Sequence, residues 1–107
     1  MNQTTKSRRE MLEAFVAANP LDAFARYGLA MECAKLGENE AAAEHFRALL
    51  AAHPDYIYGY YHYGQLLVRL GRRDEARQVF TAGITAAEKA KNTHGRDELE
   101  AALHDIS

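Results

Sequence analysis

The feature that most constrains the fold of this chain is an internal repeat with a period of 34 residues. Two series of apolar and small residues match at this offset. Within each series the members recur mainly at steps of three and four, as they do along one face of an α-helix. The series are Leu29, Ala30, Cys33, Leu36, Gly37, Ala42 and Phe46, and then Tyr63, Gly64, Leu67, Leu70, Gly71, Ala76 and Phe80. A period of this length predicts an array of stacked helix pairs.

The two prolines of the chain set the phase of the array independently, because Pro20 and Pro54 are also 34 residues apart. The residue before a proline avoids helical dihedral angles, so each proline marks the end of a helix. Gly37 and Gly71 mark two further ends, since glycine readily adopts the left-handed conformation that closes a helix. The apolar pattern and the helix ends therefore predict the same repeat.

These boundaries divide the chain into parts of a single domain, 1–107. At 107 residues the chain is long enough to bury one core. No linker or low-complexity segment interrupts the helical pattern. The predicted parts are an N-terminal half-repeat helix at 7–20, a first repeat at 22–54, a second repeat at 55–91 and a C-terminal capping helix at 96–106.

The two terminal helices are predicted to cover the ends of the array, because each repeat buries its apolar face only against a neighbour. The first helix begins with a capping box formed by Ser7 and Glu10. Its predicted apolar face consists of Met11, Leu12, Phe15 and Val16. The last helix follows a predicted turn at 92–95. We expect its side chains Leu99, Leu103 and Ile106 to cover the preceding helix around Val79, Gly83 and Ile84.

The arrangement resembles the tetratricopeptide repeat family over about 8–103. The family signature is a set of bulky, small, aromatic, glycine, alanine and proline positions within 34 residues. Those positions are filled once by Leu29, Ala30, Gly37, Ala42, Phe46 and Pro54, and again by Tyr60, Tyr63, Gly64, Gly71, Ala76 and Phe80. Arg26 departs from the pattern, and the second repeat lacks its proline. The resemblance implies an all-α fold, a right-handed superhelix of antiparallel helix pairs.

The resemblance also implies where a ligand binds, because the first helix of each pair lines a concave groove in this family. The corresponding residues are Phe24, Tyr27, Met31 and Lys35 in the first repeat, and Tyr58, Tyr61, His62, Gln65 and Arg69 in the second. Aromatic residues, methionine and arginine are enriched at protein interfaces. We therefore predict that this set binds a peptide. The alternative is that the tyrosines pack against neighbouring helices.

The sequence thus predicts a non-catalytic scaffold that binds a protein or peptide partner. The alternative from a different class is self-association, in which exposed aromatic side chains bury against a second copy to form a homodimer. Some family members hold a terminal carboxylate with a clamp of basic residues and asparagine. That clamp is not reproduced here, because Tyr27, Met31, Tyr58 and His62 occupy the corresponding positions.

An enzyme or a metal-binding protein is a more distant alternative. The five histidines and Cys33 fit neither a Cys-x2-Cys nor a His-x3-His spacing, so we predict no metal, no cofactor and no catalytic residue. Cys33 lies in a packing position, where burial raises the pKa of a thiol and makes it unreactive.

Charge and composition argue against other classes of partner. With 13 basic and 15 acidic side chains the formal net charge is −2, and no recognition motif accompanies the arginines at 69–77, so nucleic acid is not a predicted partner. No run approaches the roughly 18 apolar residues of a membrane span. Charges in the first twenty residues argue against a signal peptide, and a single cysteine fits a reducing compartment. We expect a cytoplasmic protein.

Overall fold

The computed structural model describes residues 6–107, and within that range all regular secondary structure is helical. The helices are α1 (Arg8–Ala18), α2 (Ala23–Lys35), α3 (Asn39–Ala52), α4 (Ile57–Arg69), α5 (Arg73–Lys89) and α6 (Thr93–Asp105). Each helix packs against the next one along the chain, and α4 also contacts both α2 and α6. The predicted all-α repeat fold is confirmed.

The connections between helices are of two types, as the sequence predicts. The chain leaves α1 and α3 through Asn19 and His53, the residues that precede the two prolines. It leaves α2 and α4 through Gly37 and Gly71, whose φ angles are +78° and +77°. Backbone hydrogen bonds of the Schellman type close both glycine turns.

A third Schellman turn connects α5 to α6, and its left-handed residue is Lys91 rather than glycine. The N–H of Lys91 donates to the carbonyl of Glu88 at 3.1 Å, and the N–H of Asn92 donates to the carbonyl of Ala87 at 2.8 Å. Lys91 has a φ of +58° and is the one non-glycine residue with positive φ in the described range. An L side chain in this conformation is strained by roughly 1–2 kcal/mol.

Lys91→Gly is therefore expected to raise the free energy of unfolding by about 1 kcal/mol, because glycine removes the strain but gains entropy when unfolded. Gly71→Ala is the matched control. No atom lies within 4 Å of a Cβ added there, so its expected loss of about 1 kcal/mol reports on the backbone alone. Urea denaturation of both variants measures the two effects. Equal stability of Lys91→Gly and the parent would contradict the assigned strain.

The core lies between the two helices of each pair and between neighbouring pairs. Ala30, Ala42 and Phe46 are buried, and so are their counterparts in the second repeat, Gly64, Ala76 and Phe80. The ring of Phe46 stacks on that of Tyr63 with centroids 5.7 Å apart and an interplanar angle of 18°. This contact joins α3 to α4 and therefore joins the two repeats.

The structure corrects the predicted start of the last helix. The sequence predicts a turn at 92–95 and a helix from Arg96, whereas α6 begins at Thr93. The reason is that the Asn92 side chain caps the helix by accepting a hydrogen bond of 2.8 Å from the N–H of Gly95. Gly95 also allows close packing on α4, since a Cβ there would lie 2.8 Å from Cγ2 of Ile57.

The apolar face of α6 packs on α5 largely as predicted. Leu99 and Ile106 are buried, and Leu103 is half-buried. A Cβ added to Gly83 would lie 3.0 Å from Cδ1 of Leu99, which places Gly83 under the helix. Val79 was predicted to lie under the last helix. It lies instead in a shallow groove with side chains of α3 and α4. The exposed side of α6 is mainly polar.

The structure also corrects the predicted apolar face of α1. Val16 is buried and Leu12 is half-buried, but Met11 and Phe15 are exposed. Among residues 6–107, α1 has a packing partner only in α2, so one side of the helix covers the core and the other does not. Leu36, which belongs to the predicted apolar series, is exposed at the C-terminal cap of α2.

Candidate functional site

The predicted binding residues of α2 line an open cavity between α1 and α2, with a volume of about 660 Å³. Steps of three and four along α2 place these residues on one helix face. We call this cavity the α1–α2 groove. Its walls are formed by Phe24, Ala25, Tyr27, Gly28, Met31, Glu32 and Lys35 of α2 and by Arg8 and Leu12 of α1.

The predicted binding residues of α4 are distributed differently. Tyr61, His62 and Gln65 are half-buried, whereas Tyr58 and Arg69 are exposed. The His62 ring lies between two tyrosine rings, with its centroid 5.2 Å from that of Tyr61 and 5.8 Å from that of Tyr27 on α2. The two predicted sets therefore meet at His62, and part of the α4 set is occupied in contacts with α2.

Several residues of this region are absent from the predicted set, among them one that precedes α4 and two on α1. Tyr56 places its ring 5.2 Å from that of Tyr27. It precedes the first turn of α4, so helical spacing does not include it. Arg8 and Leu12 belong to the groove because α1 forms one wall. The position of α1 beside α2 follows from tertiary packing, and spacing within the first helices of the pairs does not indicate it.

The charges around the groove leave a positive rim. The Nε atom of Arg8 lies 3.3 Å from a carboxylate oxygen of Glu32, whose side chain is largely buried, while Arg8 itself is mostly exposed. Lys35 and Arg69 have no acidic side chain within 4 Å among the described residues. Each lies in the last turn of its helix, where the helix dipole stabilises a cation.

Burial shifts the pKa of two aromatic residues of the site, Tyr27 and His62. Burial raises the pKa of the Tyr27 phenol, and the neighbouring Tyr56 and Tyr58 raise it further, so the phenol remains a hydrogen-bond donor. Burial lowers the pKa of His62, although Glu98 of α6 acts in the opposite direction. The site thus offers flat apolar rings with neutral polar tips, which suit contacts with a peptide backbone.

Other chemistry has little structural basis in the described range. Between residues 6 and 107, no three His, Cys, Asp or Glu side chains lie close enough to hold a metal ion. The Cys33 thiol is buried, and burial raises its pKa. Arg72 pairs with Glu75, so this arginine of the basic segment has an acidic partner. In the part of the chain that the structure describes, no helix combines the length and apolar character that a membrane span requires.

Two family models and a solved structure that match this chain share one description, the tetratricopeptide repeat. Sequence models of the tetratricopeptide repeat match residues 34–92 and residues 9–57. A tetratricopeptide repeat domain protein from Salinibacter ruber, solved by crystallography, is 35% identical. The match covers 79% of this chain and 94% of that one, with a TM-score of 0.74. A search among curated proteins gives no match.

Two further solved structures have the same fold. Protein BPP2914 from Bordetella parapertussis is 28% identical over 95% of this chain and 89% of its own, with a TM-score of 0.80. PcrH, crystallised in complex with the chaperone-binding region of PopD, is 18% identical over 92% of this chain and 74% of its own, with a TM-score of 0.84. With its 34-residue period and these matches, this chain belongs to the tetratricopeptide repeat family.

Proposed function

We propose that this protein is a non-catalytic scaffold that binds a peptide or protein segment along α2 and α4. The observation that carries the proposal is the α1–α2 groove, in which apolar side chains line an open cavity. Phe24 at the edge of this groove is 75% exposed, and Tyr58 at the equivalent position of α4 is 46% exposed. Exposed aromatic side chains beside a groove are typical of binding surfaces.

The half-buried tyrosines of the site are already held in place before a ligand binds. Tyr27 contacts Tyr56 and His62, and Tyr61 contacts His62 from the other side. A side chain that is ordered beforehand loses little conformational entropy on binding. These contacts therefore support a role for Tyr27 and Tyr61 as rigid anchors for a peptide.

The structure of PcrH supports the capacity of the fold for this function, because PcrH was crystallised with a segment of another protein, PopD. In the same proposal the chain is one unit, with α1 as a half-repeat, α2–α3 and α4–α5 as full repeats, and α6 as a cap. A cytoplasmic location belongs to the proposal as well, since the unpaired Cys33 requires no oxidising compartment.

The double variant Tyr27→Ala, Tyr61→Ala is expected to weaken binding of a partner recovered by affinity purification by about 2 kcal/mol or more. The reason is that both rings leave the ligand-facing surface at once. Titration calorimetry measures the loss, and circular dichroism verifies that the helices remain. The matched control, Gln78→Ala with Val79→Ala, alters a groove on the other side of the array and should bind normally. Normal binding by the tyrosine variant would place the site elsewhere.

Self-association is the second candidate, and the exposed Met11 and Phe15 of α1 favour it. A second copy that covers these side chains would remove apolar surface from water. Sedimentation at increasing protein concentration distinguishes the two candidates, because only self-association changes the mass of the pure protein.

A further inference from the structure

The 34-residue period allows α1 to be compared with α3 at equivalent positions. α3 packs closely against α2, and its Leu49 is only 1% exposed. The equivalent residue of α1 is Phe15, which is 48% exposed. Leu12 is half-buried, whereas its counterpart Phe46 is fully buried. The side of α3 that carries these residues is covered by α2. Within the described residues, no helix covers the equivalent apolar side of α1.

The contacts of α2 with α3 and α4 show what kind of ligand the equivalent surface of α1 and α2 can bind. α2 lies against α3 through a hydrogen bond of 3.2 Å between Arg26 and His45. It lies against α4 through the rings of Tyr27 and His62. Two helices thus hold α2. They are α3, its partner within the same repeat, and α4, the first helix of the next repeat.

The residues equivalent to those two histidines lie on α1 and α2, the two helices that form the α1–α2 groove. The counterpart of His45 is Met11, which is 54% exposed on α1. The counterpart of His62 is Gly28, which lines the groove itself. The groove is therefore the repeat-equivalent of the surface that holds α2, and no described residue fills it.

We propose that the α1–α2 groove binds an amphipathic helix of a partner protein, in the place that α2 occupies on α3 and α4. This inference rests on the proposed function, because it names the ligand that the same surface takes. α2 itself provides the template for that ligand, a helix of 13 residues. Its buried face consists of Leu29, Ala30 and Cys33, which recur at helical spacing with a small residue at the closest approach.

The differences between the two surfaces indicate a reversible partner with acidic residues. Ala42 of α3 is fully buried, whereas the mostly exposed Arg8 occupies the equivalent position of α1 and lines the groove. A charged side chain at this position keeps the empty groove hydrated, so that a bound partner can dissociate again. Arg8 and Lys35 outnumber Glu32 at the rim, and Lys35 has no acidic partner between residues 6 and 107. We therefore expect the ligand helix to carry carboxylates beside its apolar face.

A synthetic peptide with the sequence of residues 22–36 and Cys33→Ser is the probe, because this segment fills the equivalent place in the array. It is labelled with a fluorophore and titrated with the full-length protein at low salt. We expect saturable binding together with a gain of helical circular dichroism. A peptide with Leu29→Asp should bind at least tenfold more weakly. A peptide with Lys35→Glu should bind several-fold more tightly, with the gain reduced at high salt.

Protein variants place the site. Met11→Asp and Phe15→Asp should each reduce affinity about tenfold, because both put a charge on the apolar side of α1. Ala48→Asp is the matched control, since Ala48 is an exposed residue of α3, and it should bind as the parent does. Thermal melts verify folding, and the milder Phe15→Ser replaces the aspartate variant if that variant is destabilised.

Four results would overturn the inference. The first is that neither the 22–36 peptide nor its Lys35→Glu form binds. The second is that a peptide binds without becoming helical, and the third is that binding depends on Tyr61 but is unchanged in Met11→Asp. The second and third leave the proposed function intact and replace the helix with an extended ligand. Concentration-dependent self-association of the parent that Phe15→Asp abolishes would also overturn it, because a second copy would then be the occupant of α1.

Discussion

Gly64→Ala is expected to lower the free energy of unfolding by about 2 kcal/mol, although alanine is the better helix former. A Cβ at this position would overlap Cε1 of the Phe80 ring and lie 2.6 Å from its Cδ1. Phe80 is fully buried, so its ring has no free space to move into. The overlap must be relieved by separating α4 from α5, which opens the core of the second repeat. Urea denaturation measures the loss.

Gly28→Ala is the matched control for this prediction, because it makes the same change inside the neighbouring helix. A Cβ on Gly28 would lie 3.6 Å from Cδ2 of Leu12, an ordinary contact. The variant should therefore gain up to about 1 kcal/mol from helix propensity. Phe80→Leu should partly rescue Gly64→Ala in a double-mutant cycle. A Gly64→Ala protein as stable as the parent would refute the close approach of α4 and α5.

Deletion of residues 92–107 is expected to abolish the cooperative unfolding transition. This segment contains α6, whose Leu99 and Ile106 are buried against the preceding helices. Without it, the sides of α4 and α5 that surround Gly83 and Ile57 would face water. A repeat array that exposes an apolar end is prone to aggregate. Calorimetry and light scattering detect the two effects.

Single substitutions in α6 test the same capping role without a change of chain length. Leu99→Ala should cost about 2–5 kcal/mol, because Leu99 is fully buried and leaves a cavity. Leu103→Ala is the control at a half-buried position and should cost clearly less. If the deleted protein remained monomeric with the melting profile of the parent, α6 would be an appendage of the array.

The sequence alone allowed prediction of the fold, because the period of 34 aligns Gly64 with Ala30 and Phe80 with Phe46. Helical phase also separates Tyr61 from Tyr60. It distinguishes the sides of a helix, but it cannot say whether a second helix lies beside each side. Met11 and Phe15 were therefore predicted to lie on the packing face of α1. Their spacing matches that of residues that α2 contacts on α3.

Local chemistry was ambiguous at the start of α6. Asn92 and Gly95 favour a turn and also favour a helix N-terminus, and only the position of α6 against α4 decides between them. The groove shows the same limit. Helical spacing selected Phe24, Tyr27, Met31 and Lys35 on α2, whereas the participation of Arg8 depends on the tertiary position of α1.

The turn at Lys91 determines at which end of the array further repeats can be added. A proline turn carries the chain from one helix pair to the next, whereas a Schellman turn joins the two helices of a pair. Because α5 is followed by a turn of the second type, α6 folds back over the open end and presents a mainly polar side outward. An engineer who wished to lengthen this solenoid would have to add modules ahead of α1, or first replace α6.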